Sequence, residues 1–343
     1  MAYFDGYTAD EVWANAAQHL LDASADVSKA DSRLGPTREL SHCVLSIADP
    51  RRRWTYSRSP AVNPAFAIAE VIWILMGSRE SHLLNFWNSQ LSQFVGGGNT
   101  FHGAYGYRLR SHFGRDQLDG AYRTLRHNPN SRQVVLQIWD PAIDAPTDSG
   151  LPANADIPCN VGSFLKVRNG KLDWTQLVRS NDIYRGLPYN LVQFTCLQEI
   201  VAGWLELEVG RYTHLCDSLH LYEADIETMR VQPDKQTYSN EKSCHSLALS
   251  KDKFDKVLAT LAHTLRRLSA TDLDQQEFDD LRQAANIPES YKNYIAVLAA
   301  ESARRRGWVL SSDGQLLLGC SDPDLQLVWD RWMQRVSATQ VLI

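Results

Sequence analysis

The sequence predicts an α+β or mixed α/β fold, in which a central set of strands is flanked by helices. Three observations carry that prediction. Residues with helical apolar spacing lie toward both ends of the chain, two-residue alternation is confined to the middle, and Asn169-Gly170, the strongest short hairpin signal, falls inside the alternating stretch. A length of 343 residues, 44% of them hydrophobic, can bury a substantial core as one large domain or two smaller ones. The composition excludes collagen-like, disordered and disulfide-scaffold classes.

The elements follow in order. Val12, Trp13, Ala16, Ala17, Leu20 and Leu21 predict a first helix, which runs into the polar segment SKADSRLGPTRE. A second helix is expected from Pro64 to Gly77, almost continuously apolar except for Glu70. A carboxylate there is costly unless it is paired, protonated or hydrogen-bonded, so Glu70 is either a buried acid tied to an arginine or a catalytic group. A helix around Ser81 to Phe94, the run Gly96-Gly97-Gly98 and the loop FHGAYGYRLR come next, where glycines around Tyr105 imply a close backbone approach. RQVVLQIW reads as a strand, and SFLKVRNGKLDWTQLVRS as two strands joined at Asn169-Gly170. Tyr189 to Leu207 is a long helix, and residues 253 to 306 form two helical segments parted at Asn286-Ile287-Pro288.

A net charge of -5 argues against a nucleic-acid polymer as partner, because such proteins carry a basic face, whereas one nucleotide needs only a few arginines. The six cysteines show no paired spacing, so neither a zinc site nor a disulfide framework is expected, and no metal is assigned. No apolar run could span a bilayer and the N-terminus has no signal-peptide order, which gives a cytoplasmic expectation.

Three segments concentrate polar groups that a plain core would not choose. Asp156-Ile157-Pro158-Cys159-Asn160 sets a thiol at a proline-fixed turn where a strand begins. Arg179-Ser180-Asn181-Asp182 precedes Gly186-Leu187-Pro188-Tyr189-Asn190, and Asp217 to Tyr222 reads DSLHLY. A cysteine near an arginine has a lowered thiol pKa and can act as a nucleophile. Arginine followed by serine at a strand end suits a phosphate, although RSND also reads as a polar turn with an Asx cap.

In their order, NSRQ, WDP, IPC, RSND, GLPYN and HLY resemble thymidylate synthase and its relatives, the pyrimidine-nucleotide hydroxymethylases. The resemblance runs from about Pro36 to Tyr222. It implies a thymidylate-synthase-like mixed sheet flanked by helices, with sheets packing back to back in a homodimer. It implies Cys159 as the nucleophile that adds to C6 of a pyrimidine, Glu70 as the buried acid that organises water, and Tyr105 near the thiolate. Asn190 reads the uracil edge, since an amide both donates to O4 and accepts from N3-H. Arg179, Ser180, Arg38 on a mobile loop, and Arg132 from the partner subunit would hold the phosphate, with His220 and Tyr222 at the ribose. Asp182 would contact the pterin of 5,10-methylenetetrahydrofolate, the implied cosubstrate, and Arg185, Gly186, Tyr189, Trp87 and the terminal Ile343 would line its site.

The departures from the family pattern fall largely around the folate and the one-carbon unit. Asn160 stands where a histidine is usual after the nucleophile, Gln133 replaces a second arginine, and Arg185 replaces a leucine. WNSQLSQFVGGG lacks a tryptophan pair, leaving Trp87 or Phe94 to serve. A polar wall of this kind would admit water, which points to a dUMP 5-hydroxymethylase. The alternatives are a thymidylate synthase, a CMP or dCMP hydroxymethylase, which Asn190 disfavours, and a non-catalytic nucleotide- or RNA-binding relative. The expected organisation is one catalytic domain over 1–343, with a family-atypical, largely helical region at about 223–343.

Overall fold

In a computed structural model of the chain, residues 1–22, 24–32, 34–232, 245–283, 286–311 and 314–340 are described. An eight-stranded mixed sheet forms the centre, and its main path runs β1, β3, β9, β7, β6, β5. These strands are β1 (Ala2–Gly6), β3 (Gly35–Ile47), β5 (Val135–Gln137), β6 (Asn160–Arg168), β7 (Lys171–Val178) and β9 (Glu208–Tyr222). β2 (Ser28–Ser32) pairs with β3, and β8 (Asn181–Asp182) pairs with the last residues of β9. A separate small pair joins β4 (Arg58–Ser59) to β10 (Arg230–Val231).

α1 (Ala9–Leu21) starts at a capping box made by Thr8 and Glu11 and buries Val12, Trp13, Ala16, Ala17 and Leu20 completely. The Trp13 indole N–H donates to the Ile183 carbonyl at 2.7 Å, which ties α1 to the turn after β8. α2 (Pro64–Leu75) is capped by Asn63 and is buried along nearly all its length. Short helices α3 (His82–Asn85), α4 (Leu91–Val95) and α5 (Tyr105–Tyr107) follow, then a wide turn at Arg108–His112, α6 (Gln117–His127) and α7 (Pro141–Asp144). α8 (Leu187–Trp204) crosses the sheet, and α9 (Lys251–Leu268), α10 (Gln275–Gln283), α11 (Glu289–Arg306) and α12 (Pro323–Gln340) complete the chain. No helix among the described residues is long and apolar enough to cross a membrane.

The Asn169-Gly170 hairpin is present, and φ values of 51° and 73° are the left-handed pair that a type I′ turn requires. Four other expectations need correction. The polar segment after α1 is the β2–β3 hairpin, whose β2 strand is mostly exposed to solvent, so alternation of hydrophobicity never marks it. The helix expected around Ser81 to Phe94 breaks into α3 and α4, because Asn88 Oδ1 accepts from the Gln90 N–H at 3.2 Å and closes an Asx turn. The expected RQVVLQIW strand shortens to three residues, since the N–H groups of Ile138 and Trp139 both turn to the Val161 carbonyl. Residues 253 to 306 hold three helices rather than two, with Asp274 capping α10 through the Glu277 N–H at 2.8 Å.

The C-terminal helices pack on α2. The buried Glu301 receives Arg304, Arg305 and the Trp332 indole, and Arg331 and Arg335 donate to the carbonyls of Tyr56 and Ala61 at 2.7 and 2.6 Å. Those carbonyls lie just before the cap of α2.

Candidate active site

The hairpin of β6 and β7 brings Cys159 beside Arg179. The Arg179 N–H donates to the Cys159 carbonyl at 2.9 Å, one step beyond the Asn160–Val178 pair. Its guanidinium donates to the carbonyls of Pro158 and Ile157 at 3.0 Å each, and Nη2 lies 4.0 Å from Sγ. Burial is the larger effect and raises the Cys159 thiol above its ordinary range even though Arg179 pulls it down, so the lowered thiol expected beside an arginine is not found. Cys43, Cys196, Cys216 and Cys320 are buried, with Cys43 pushed to about 12 and Cys320 to about 11 by that burial, whereas Cys159 keeps some surface. Cys244 lies outside the described residues. Cys196 also meets an arginine, Arg53 at 2.7 Å, but is buried, so it is access together with an arginine that sets Cys159 apart among the described thiols.

Tyr105 is carried to this loop by two glycines. Gly103 donates its N–H to Asp156 Oδ2 at 2.8 Å, and a Cβ on it would come 3.2 Å from Pro158 N. Gly106 crosses α2 so closely that a Cβ would lie 2.6 Å from the Ile74 Cα and closer still to its carbonyl oxygen. The close approach expected around Tyr105 is thus to protein backbone. Burial raises the Tyr105 phenol, and Cys159, Asp156 and Glu70 add to the rise. Burial also lifts Asp156 to about 6.

Glu70 is not tied to an arginine. Its neighbour is Gln193, and burial lifts its carboxyl to about 8, with Oε2 enclosed and without a hydrogen-bond partner among the described residues. Gln193 Oε1 accepts from Asn190 Nδ2 at 2.9 Å, so the Gln193 amide N–H group is the one that faces Glu70. Asn190 Oδ1 in turn accepts from Asn181 Nδ2 at 2.6 Å. A line of amides connects the base-reading candidate to the buried acid.

β8 and β9 set Asp182 opposite His220. Ser180 Oγ lies 3.5 Å from His220 Nδ1, and the His220 and Tyr222 rings meet edge-on at 5.2 Å. Asp182 Oδ1 accepts the N–H groups of Tyr184 and Arg185 at 2.7 and 2.8 Å; burial raises this carboxyl while those donors and His220 lower it. Arg185 stacks 5.2 Å over Tyr222 and bridges to Asp225 at 2.8 Å. Gly186 precedes α8, and a Cβ there would meet nothing nearer than 3.6 Å. The Tyr189 hydroxyl accepts from the Asn63 N–H at 3.1 Å, and its ring stands edge-on to Phe66.

Two expected site residues sit elsewhere. Arg38 is on β3 rather than on a mobile loop, and its guanidinium donates to the carbonyls of Leu21 and Asp22, because the end of α1 leaves carbonyls in need of donors. Trp87 is completely buried, edge-on to Phe86, with its carbonyl taken by Asn63 and Arg305, so it supports the site from within. Arg132, expected to act from the partner subunit, is exposed just before β5. Ile343 and the Phe94 side chain lie outside the described residues.

Sequence reasoning missed the buried amides Gln193, Asn181 and Gln176. Gln193 was legible, being three residues after Asn190 and so on the same helix face. No group of three or more His, Cys, Asp or Glu among the described residues could hold a metal ion.

Residues 58–279 match the family model described as thymidylate synthase. The deoxyuridylate hydroxymethyltransferase of Bacillus phage SP01 is 34% identical over 236 residues, which are 64% of this chain and 61% of that protein. The deoxyuridylate hydroxymethyltransferase of Pseudomonas phage M6 is 33% identical over 216 residues, 61% of this chain and 60% of that protein. The thymidylate synthase of Bacillus licheniformis is 30% identical over 212 residues, 58% of this chain and 74% of that protein. The chain thus spans about three fifths of the length of the two phage relatives. With the family model covering well over half of its residues, and with Cys159 beside Arg179 and Asn190 bonded to Asn181 next to Asp182, the chain belongs to the thymidylate synthase family.

Proposed function

We propose that the chain is a folate-dependent one-carbon transferase that converts dUMP to 5-hydroxymethyl-dUMP. The observation that carries the reading is the unbroken amide line from Asn181 through Asn190 and Gln193 to Glu70, beside a thiol held at an arginine. It joins recognition of a uracil edge to a buried acid, and each protein bond to Asn190 uses only one donor and one acceptor, leaving one of each for the base. A sulfur at C6 makes C5 nucleophilic, a change that a binding module has no use for.

Arg179 and Ser180 hold the phosphate, with Arg132 of a second copy completing it. His220 and Tyr222 bind the ribose. Cys159 attacks C6 as the thiolate, with Arg179 stabilising the charge; once C5 has taken the one-carbon unit, loss of its proton expels tetrahydrofolate, water adds to the methylene left behind, and the electron pair returned to C5 expels the sulfur from C6. Glu70, protonated near neutral pH, serves O4 through ordered solvent. Methylenetetrahydrofolate supplies the one-carbon unit when bound. The residues fit its pterin: Asp182 keeps Oδ2 clear of the backbone bonds that occupy Oδ1, and Gly186 leaves space beside it. The Arg185–Asp225 pair makes that wall polar, which favours attack by water over a shielded reduction.

The working unit in this reading is a homodimer of single catalytic domains in the cytoplasm. The sheet face that carries Val135 and Phe164, 53% and 38% exposed, supports a second copy as the partner. The reaction is tested by incubating the protein with dUMP and methylenetetrahydrofolate, following dihydrofolate absorbance and product mass together. A hydroxymethyl product without dihydrofolate is expected. A methyl product with stoichiometric dihydrofolate, as a thymidylate synthase would give, overturns the assignment.

A further inference from the structure

The sequence marks Asn160 only as a departure from the family pattern. In the structure it is completely buried, and its Oδ1 accepts from Gln176 Nε2 at 2.9 Å. Its Nδ2 is enclosed with no partner in hydrogen-bond geometry among the described residues. Gln176 is equally buried, and its Oε1 takes two bonds, from Ser163 Oγ at 2.7 Å and from the Trp174 indole at 3.1 Å.

The indole decides the direction of this chain. An indole N–H can only donate, so the atom it meets on Gln176 must be the amide oxygen. The other end of Gln176 is then the donor, Asn160 Oδ1 is the acceptor, and Asn160 Nδ2 points away as a donor. Ser163 alone could not fix this, because a hydroxyl both gives and accepts. The group that Nδ2 approaches is the Tyr105 hydroxyl, whose ionised form the Asn160 amide favours, and which has Cys159, Asp156 and Glu70 as its charged neighbours. A buried amide with an unused donor costs stability that an apolar side chain of the same size would not.

We propose that Trp174, Gln176 and Asn160 form a polarity relay that aims an N–H at the Tyr105 oxygen, so that Tyr105 accepts there and donates its own hydrogen toward Cys159. Asn160 and Gln176 are positioning residues that act through Tyr105. The relay deepens the proposed function and rests on Cys159 as the nucleophile. A hydroxyl that donates toward the thiolate stabilises the charged sulfur, and one free to turn away does not.

The test is a double-mutant cycle of Gln176→Leu and Tyr105→Phe, read by the pH midpoint of Cys159 alkylation with iodoacetamide, with Cys159→Ser as the blank. Each single variant should raise the midpoint by about half a pH unit or more. The double variant should go no higher than Tyr105→Phe alone. A Gln176→Leu midpoint equal to wild type, or shifts that add, would overturn the relay. Where the leucine variant fails to fold, Gln176→Met takes its place: it matches the length of glutamine, carries no charge and cannot donate to Asn160, and should raise the midpoint in the same non-additive way. In turnover with dUMP and methylenetetrahydrofolate, Gln176→Leu should lower kcat about tenfold or more with the nucleotide KM within about twofold. Absence of turnover in the wild type would sink the proposed reaction, while the alkylation cycle would still decide the relay.

Discussion

Arg179 holds the carbonyls of Ile157 and Pro158 with the same guanidinium whose Nη2 lies 4.0 Å from the Cys159 sulfur. One side chain therefore shapes the loop that bears Cys159 and counters part of the burial that raises its thiol. Arg179→Gln should raise the pH midpoint of Cys159 alkylation by on the order of one unit, since a nearby positive charge is removed while burial remains. An unchanged midpoint would show that the arginine serves the loop alone.

Asn190 should set base preference. Asn190→Asp replaces the amide donor with an acceptor, which suits the amino group of cytosine in place of O4 of uracil. The ratio of kcat/KM for dUMP over dCMP is expected to fall by about tenfold or more, the cost of mismatching a buried polar contact. An unaltered ratio would remove Asn190 from base recognition.

Two buried groups give opposite slopes to stability against pH. His214, with Nε2 enclosed, is lowered to about 3 by burial, so between pH 6.5 and 3 the unfolded chain binds more protons and stability falls as pH drops. Glu70, raised to about 8, makes the folded chain bind more protons between pH 4.5 and 8, so its effect is loss of stability as pH rises. Tm measured from pH 4 to 9 should therefore decline less on the acid side in His214→Gln, and less on the alkaline side in Glu70→Gln. Parallel curves for wild type and variants would contradict both assignments.

Gly106→Ala puts a methyl group against the backbone of Ile74, which has no flexible end to yield. A loss of about 1–3 kcal/mol in denaturant unfolding is expected from such overpacking. The same shift moves Tyr105 relative to Glu70, so kcat should fall more than the loss of stability explains. Wild-type behaviour in both measurements would mean that α5 can slide on α2 without cost.

Much of this arrangement could be read from the residues, for physical reasons. α1 and α2 announce themselves through apolar spacing and capping residues, and the β6–β7 hairpin through Asn169-Gly170. β3 could not be read that way, because it is paired with β2 and β1 along one edge and β9 along the other, and its polar residues are satisfied by distant partners such as the end of α1. Within the site, residues with distinctive chemistry stood out, among them Cys159, Glu70 and Asp182. The amides that orient them did not, since asparagine and glutamine occur everywhere and only three-dimensional pairing shows that Gln193 faces Glu70 or that Gln176 faces Asn160.

The donation by Arg331 and Arg335 to the carbonyls of Tyr56 and Ala61 has a consequence for building chimaeras. Those carbonyls lead into Asn63, the residue that caps α2 and whose N–H meets the Tyr189 hydroxyl. The helix bearing Glu70 is thus clamped at its start from both sides, by α8 within the family-matched segment and by α12 beyond it. Grafting a shorter tail from another member of the family would strip one jaw of that clamp, so the tail and the helix that carries the buried acid must be exchanged together.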